Sequence, residues 1–364
     1  MVQERALVSK ITQLATLIRL TRHKAEELNE SAPMAIIRMV RRLVFDQFSP
    51  AEIRNFAPHF KAIAAKYPVL ISKQASLARL RRFNDASKSG LTEDKHVFYS
   101  HCEAHGIPIP RHIFTTQSGD TRYESAIATP GALYRLLSDH FIVKDRHGAY
   151  GGGFEAFDKT SGGFTSAKGQ AYSEAELIAF FNDPKNGPLV VQERAYDHPD
   201  LSALSDSNAL QTLRIVTYRD SRGFIRPVYF NFKLLNRGNI VDNFSGGATG
   251  NLLCFGNIET GTLTWAICAH PSGMGIQAVT VHPSTNRDIA GFKLPLWSET
   301  LEAAMNAHRA FTPFKVVGWD LAITPEGPKI IEGNIWFDPP LFAPEIMANE
   351  DWSLIFGPGY QGAT

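Results

Sequence analysis

Hydrophobic spacing divides the chain at about residue 85. Before it, apolar positions keep helical periods: Leu7, Ile11, Leu14 and Ile18 recur at 4-3-4 spacing, one face of a helix. The stretch MAIIRMVRRLVFDQF continues the pattern after Pro33, and SPAEIRNFAPHFKAIAAKY follows with Ser49 placed to cap its start. After Asn84 the texture changes to short β-branched runs punctuated by Gly and Pro. HFIVK, GFEAF, PLVVQERA, TLRIVTYR and RPVYFNFKLL read as strands. SEAELIAFFND and WSETLEAAMNAHRAF read as amphipathic helices, and LTEDKHVFYSHCEAHGIPIP as a helix capped by Thr92 and closed by Gly106. The strands fall mostly in sequence-adjacent pairs, which favours antiparallel α+β layers over a doubly wound sheet.

The clearest pairing is KVVGWDLAITPEGPKIIEGNIWFDPP, Lys315 to Pro340. Val316 to Ile323 alternates, TPEGP is turn chemistry, and Lys329 to Ile335 alternates again, so the segment predicts a β-hairpin. A turn centred on Glu326 sets Asp320 opposite Glu332, and the strand period places Asn334 on the face of Glu332. Val317, Trp319, Leu321, Ile323, Ile331 and Ile335 take the other, apolar face. Two facing carboxylates repel by about 3 kcal/mol at roughly 5 Å and an effective dielectric of about 20. A hard cation removes that cost, and two carboxylates with an amide oxygen suit Mg²⁺. A solvated hairpin with a polar outer face is the competing reading.

Composition narrows the class without naming a chemistry. The 364 residues are 44% hydrophobic and 20% charged, as in a water-soluble globular protein with room for two or three subdomains. A net charge of +1 announces no nucleic-acid partner. The charge is uneven, however: residues 1–85 hold 15 Lys and Arg against 7 Asp and Glu, and the remainder 22 against 29. Cys102, Cys254 and Cys268 form no CxxC pair, which suggests neither a disulfide framework nor a zinc site. Without a signal-peptide pattern or an apolar run of about 18–20 residues, a reducing cytoplasm is the simplest expectation. The basic helix around Arg38, Arg41 and Arg42 suggests a peripheral contact with an anionic membrane or a protein, against the plainer reading of a solvated face.

A second constellation is HFIVKDRHGAYGGGFEAF. A strand ends at Lys144, and a loop with Gly148, Gly151, Gly152 and Gly153 leads into the next. Consecutive glycines let backbone N–H groups converge on phosphate oxygens, and the lysine adds a point charge. Neither a Walker loop nor a dinucleotide fingerprint fits, and a kinase glycine loop precedes its lysine instead of following it. A flexible hairpin is the alternative. Third, PLVVQERAYDHPD runs a buried strand into a kinked linker, an edge able to offer backbone groups to a purine ring.

The order Lys95, Lys144 with its glycine loop, VVQERA and GWDLAIT…GPKIIEGN resembles the ATP-grasp superfamily. More narrowly, HPDLSALSDSNALQTLRIVT, HPSTNRDIAGFKLPLW and VGWDLAITPEGPKIIEGN resemble its branch associated with sugar transfer and polysaccharide gene clusters, which is related to α-L-glutamate ligases. The resemblance covers about residues 89–345, leaving a helical region over 1–88 and a tail over 346–364. It implies an α+β fold whose two subdomains, about 120–195 and 200–345, clamp ATP. It implies Lys95 and Lys144 as phosphate ligands and the loop Gly148 to Gly153 as a cover for the β- and γ-phosphates. Gln192, Glu193 and Ala195 match the adenine hinge, and Asp200 and His198 are ribose candidates by position. Asp320, Glu332 and Asn334 match the ligands of one or two Mg²⁺ ions.

One departure stands out. Many ATP-grasp ligases carry an arginine two residues before the hairpin aspartate, where this chain has Gly318. Arg214 is the first candidate to supply that cation, followed by Lys233 and Arg237. The chemistry implied is ATP-dependent ligation of a carboxylate and an amine through an acyl phosphate, with a sugar acid and an amino acid as candidate substrates. Asn243, Ser245 and Gly246 are candidate acceptor positions. A small-molecule kinase and a non-catalytic nucleotide-binding scaffold remain as alternative functions.

Overall fold

A computed structural model describes residues 2–66, 71–148, 154–236, 238–338 and 355. The N-terminal region is helical: α1 (Val2–Glu27), α2 (Ala32–Val44), α3 (Pro50–Phe56), α4 (Lys61–Lys66) and α5 (Lys73–Phe83). Ser49 caps α3 in a reciprocal capping box with Glu52, as its spacing predicts. The stretch read as one helix from Ser49 onward is two, because Ala57 turns left-handed (φ 46°) before Pro58, which has no N–H to continue the ladder. The face of α1 also differs from expectation. Leu17, Thr21 and Ala25 are buried against Ala35 and Met39 of α2, while Ile11 and Leu14 are exposed.

Beyond α5 come α6 (Gly90–Glu93) and α7 (Lys95–Ala104). The cap of the second is Asp94, which accepts from His96 N and Val97 N, and not Thr92. This makes Lys95 the first residue of α7. A six-stranded antiparallel sheet then forms from β1 (His112–Thr115), β2 (His140–Asp145), β3 (Phe154–Thr160), β4 (Gly163–Ser166), β5 (Ala171–Tyr172) and β6 (Leu189–Glu193), in the order β1-β6-β2-β3-β4-β5. Helices α8 (Thr121–Ile127), α9 (Ala132–Leu136) and α10 (Glu174–Asn182) accompany it, and Leu133, Leu177 and Phe181 close its core over Phe141 and Phe157.

After α11 (Pro199–Ser205), a second antiparallel sheet takes β7 (Thr212–Arg219), β8 (Ile225–Leu234), β9 (Leu252–Asn257), β10 (Thr262–Ala269), β11 (Ile276–Val279), β12 (Val316–Thr324) and β13 (Gly327–Asn334), ordered β11-β10-β9-β8-β7-β12-β13. Helix α12 (Trp297–Ala310) covers one face through Ala303, Ala304 and Ala307, which share a core cluster with Ile215, Phe230 and Trp319. Helix α5 covers the other, with Leu80 and Phe83 beside Tyr218, Val316 and Phe337. The fold is therefore α+β and antiparallel throughout both sheets. Among the described residues no helix is long and apolar enough to cross a membrane.

A single buried side chain ties the helical region to the second sheet. Asn84 donates to Val316 O (2.7 Å) and Ile335 O (3.2 Å) and accepts from Lys315 N (3.0 Å) and Val316 N (3.1 Å). Asn84→Ala orphans buried backbone groups on two strands, and urea denaturation is expected to show a loss of about 3 kcal/mol.

Candidate functional site

The hairpin β12–β13 sets the site. Asp320 pairs with Glu332 and Gly318 with Asn334, the register the sequence implies. Nearer the turn the register slips by one, with Leu321 opposite Ile330, so Ile331 is the bulged residue. The apolar face consequently holds Ile330, which is buried, in place of the expected Ile331. The slip arises because the strands close at Thr324 and Gly327 around a two-residue turn, Pro325–Glu326.

Strand β7 pairs with the other edge of β12 and puts Arg214 opposite Asp320. The guanidinium grips the carboxylate with two bonds, Nε to Oδ1 at 2.7 Å and Nη2 to Oδ2 at 2.8 Å. Lys233, from β8, donates to Asp320 Oδ2 (3.1 Å) and to Thr212 Oγ1 (3.0 Å). Burial pushes the Asp320 carboxyl up, but Arg214 and Lys233 outweigh it and hold it at about 2. A Cβ on Gly318 would stand 3.2 Å from Arg214 Cδ and 3.2 Å from Phe337 Cδ1. The side chain of Arg214 thus lies over Gly318, in the space a longer residue at 318 would claim.

On the first sheet, Lys144 lies on β2 between β3 and β6, opposite Phe154 and Val190. Burial lowers its ammonium to about 8, with Glu332 working against that shift and Lys95 reinforcing it. Lys144 on β2 is therefore within electrostatic reach of both Glu332 on β13 and Lys95 on α7. Lys95 donates to Gly148 O, and Asp94 fixes the same turn through a two-point pair with Arg146 (2.8 and 2.7 Å). Because Lys144 protonates only below about 8, nucleotide affinity is expected to fall as pH rises through that value. Titrations with an ATP analogue from pH 6.5 to 9.5 check this (conditions at or below about 7 leave the lysine charged), and Lys144→Arg is expected to flatten the curve.

The linker after β6 has a mixed lining. Gln192 is fully buried, its amide donating to Pro110 O (3.4 Å). Glu193 is exposed and paired with Arg111 (3.2 Å). Ala195 has no backbone hydrogen bond among the described residues, unlike Arg194, whose N–H donates to His140 O (3.0 Å). His198 donates its N–H to Ile323 O (2.7 Å), tying the linker to β12, and caps α11 next to the exposed Asp200. Gly151, Gly152, Gly153 and Arg237 lie outside the described residues.

One acidic partner, Asp242, has no signal in the sequence. Asp242 accepts from Thr212 N (2.7 Å) and Oγ1 (2.5 Å), extending the polar chain that begins at Asp320 and Lys233. Thr212 and Asp242 are separated by a strand and a loop, so no local spacing links them. Gly246, a candidate acceptor position, packs against the helical region: a Cβ there would stand 2.1 Å from Asn55 Nδ2. His96, His112 and Asp120 also converge, with Thr115 Oγ1 between the two rings. Arg122 already pairs with Asp120 (2.8 Å) and stands 3.4 Å from His112 Nδ1, so a guanidinium fills that cluster's need for positive charge.

Lys144 lies within electrostatic reach of Glu332, and Arg214 and Lys233 both bond Asp320, so cations stand at each carboxylate of the hairpin. The family described as sugar-transfer associated ATP-grasp matches residues 75–351, more than half of the chain. The chain belongs to this ATP-grasp family. No curated protein matches. Solved structures similar to it include the biotin carboxylase of Campylobacter jejuni, at 12% identity and TM-score 0.45, covering 86% of this chain and 54% of that one. The D-alanine–D-alanine ligase of Bacillus anthracis follows at 12% and 0.38, covering 75% and 66%. The N5-carboxyaminoimidazole ribonucleotide synthetase of Thermotoga maritima gives 12% and 0.35, covering 69% of this chain and 44% of that one. The ATP-grasp chain thus spans less than two thirds of these proteins' own lengths.

The residues present suit the divalent cation that ATP-grasp chemistry calls for. The Glu332 side chain makes no hydrogen bond or ion pair among the described residues, and Asn334 Nδ2 is a buried donor without an acceptor. Asp320 accepts three N–H bonds, one at Oδ1 and two at Oδ2. A carboxylate offers about four lone-pair sites, so one remains, on Oδ1. The Glu332 carboxylate and the spare lone pair of Asp320 make a hard donor set, which the amide oxygen of Asn334 on the same strand would extend.

Proposed function

We propose that this chain is an ATP- and Mg²⁺-dependent ligase that joins a carboxylate to an amine through an acyl phosphate. One observation supports the reading: opposed residues of a single hairpin, Asp320 and Glu332, each have cations in reach, Arg214 and Lys233 bonded to the first and Lys144 electrostatically coupled to the second, with Lys95 coupled in turn to Lys144. A free nucleotide site needs just such an arrangement, with carboxylates for the metal and cations for the phosphates.

Lys95 and Lys144 would hold the triphosphate, the first steadied by the turn at Gly148 and Arg146. Asp320, Glu332 and Asn334 would hold the divalent ion, which when bound neutralises the phosphates and spreads their charge. A substrate carboxylate oxygen then attacks the γ-phosphorus and ADP leaves. Arg214 and Lys233, anchored on Asp320, would stabilise the transferring phosphoryl group. The amine nitrogen next attacks the acyl carbon, inorganic phosphate departs, and the amine's proton passes to solvent. No protein nucleophile is required, because positioning and charge supply the catalysis. The reading places the enzyme in the cytoplasm, acting on a sugar acid and an amino acid in polysaccharide assembly.

An ADP-release screen of sugar acids and amino acids, singly and in pairs, tests it. The ligase reading expects turnover that needs both partners and a hydroxamate when hydroxylamine replaces the amine. Turnover with an alcohol alone, yielding a stable phosphorylated product, would mark a kinase instead. Normal biological activity after Asp320→Asn with Glu332→Gln would mark a scaffold.

A further inference from the structure

Helix α2 turns an apolar face to solvent. Met34, Ile37, Val40, Val44 and Phe45 share one side of it, with Ile37 60%, Val44 63% and Phe45 76% exposed. The opposite side buries Ala35 and Met39 against α1. A bond from Thr21 Oγ1 to Met39 Sδ (3.2 Å) sets the two helices antiparallel, so the exposed Ile11 and Leu14 of α1 lie toward the end of α2 that carries Val44 and Phe45. A lone exposed leucine is ordinary, whereas seven large apolar side chains on one helical hairpin mark an interaction surface.

Charge decides what covers it. Helix α2 contains three arginines and no acidic residue. Arg38 and Arg42 are paired with Glu30 and Asp46, while Arg41 stands inside the apolar face with no ion pair among the described residues. Residues 1–85 hold 15 basic and 7 acidic side chains, a balance of +8, and the rest of the chain 22 and 29, a balance of −7. Two helical regions of balance +8 brought together would repel, which argues against a second copy. An anionic surface attracts the helical region and repels the body, and so orients the molecule.

We propose that α2, with the exposed flank of α1, is a docking surface for an anionic lipid bilayer. The helix lies flat, its apolar face sunk to the boundary of headgroups and acyl chains, and Arg41 reaches up to the lipid phosphates. Its 13 residues span about 20 Å, enough to lie in the interface and too short to cross a bilayer. The surface is separate from the nucleotide site.

Sedimentation of the full chain with vesicles tests it. Vesicles of phosphatidylglycerol and phosphatidylcholine at about one to three are compared with phosphatidylcholine alone, at low and high salt. The proposal expects binding to the anionic vesicles only, weakened by salt. Ile37→Glu with Phe45→Glu should lower the partition coefficient at least tenfold, and Arg41→Glu severalfold, with the melting temperature unchanged because these side chains already face solvent. No binding to anionic vesicles, or equal binding by the variants, overturns it. So does a concentration-dependent dimer that the double variant dissolves, which would assign the face to a second copy.

Discussion

Glu332→Gln is expected to reduce ADP release by roughly 10²–10³-fold while leaving the melting temperature within a degree or two, the size of effect that follows loss of one charge-stabilising group at a transferring centre. The two halves of that result belong together. Glu332 has no hydrogen bond or ion pair among the described residues, so its neutral isostere breaks nothing that holds the fold. It also relieves the repulsion across the hairpin from Asp320. What it removes is the charge that keeps Lys144 from titrating lower still and, in the function proposed above, a donor for the divalent ion. In the variant, therefore, the alkaline loss of nucleotide affinity should begin at a lower pH. Asp320→Asn would be a less discriminating test, since it loosens two buried cations at once.

Arg214→Ala is expected to cost about 3–5 kcal/mol of stability and to cut turnover at least a hundredfold, because removing one partner of a buried pair leaves the other uncompensated. Equilibrium unfolding at neutral and acid pH checks the cause. Asp320, held at about 2, contributes stability that is present above the ordinary carboxylate range and lost as pH falls toward 2. Without Arg214 that acid-side loss should shrink, so the gap between wild type and variant narrows at low pH. Arg214→Lys should recover part of the stability and less of the activity, since an ammonium cannot make the two-point contact. Adding Gly318→Arg to Arg214→Ala moves the cation to the position where the resemblance to ATP-grasp ligases expects an arginine. Partial recovery of turnover would show that the charge, and not its strand of origin, is what the site requires.

The hairpin was legible because its chemistry is local. Asp320, Glu332 and Asn334 lie within fifteen residues of one chain segment, and period two and turn chemistry are enough to bring them together. The bulge at Ile331 was not legible, since it depends on whether the turn spans two residues or is centred on one. Arg214 was a guess from a missing cation, and its reason lies in a pairing across more than a hundred residues that no local pattern encodes. The same is true of Asp242 on Thr212 and of Asn84 on β12. Strands β9 and β10 have no counterpart among the strands the sequence predicts, although LLCFGN and TLTWAICA carry β-type side chains. In α1 the helical period holds, and of the periodic positions Ile18 packs against the core while Ile11 and Leu14 are exposed. Periodicity reports which positions are apolar, and Ile11 and Leu14 have no protein surface to cover them.

Calorimetric titration of the full chain with a non-hydrolysable ATP analogue, with Mg²⁺ and with a chelator, tests the central claim most directly. The account predicts binding that needs the metal and weakens at least tenfold in Glu332→Gln. Affinity that is equal in metal and chelator, or unchanged by that substitution, would contradict it.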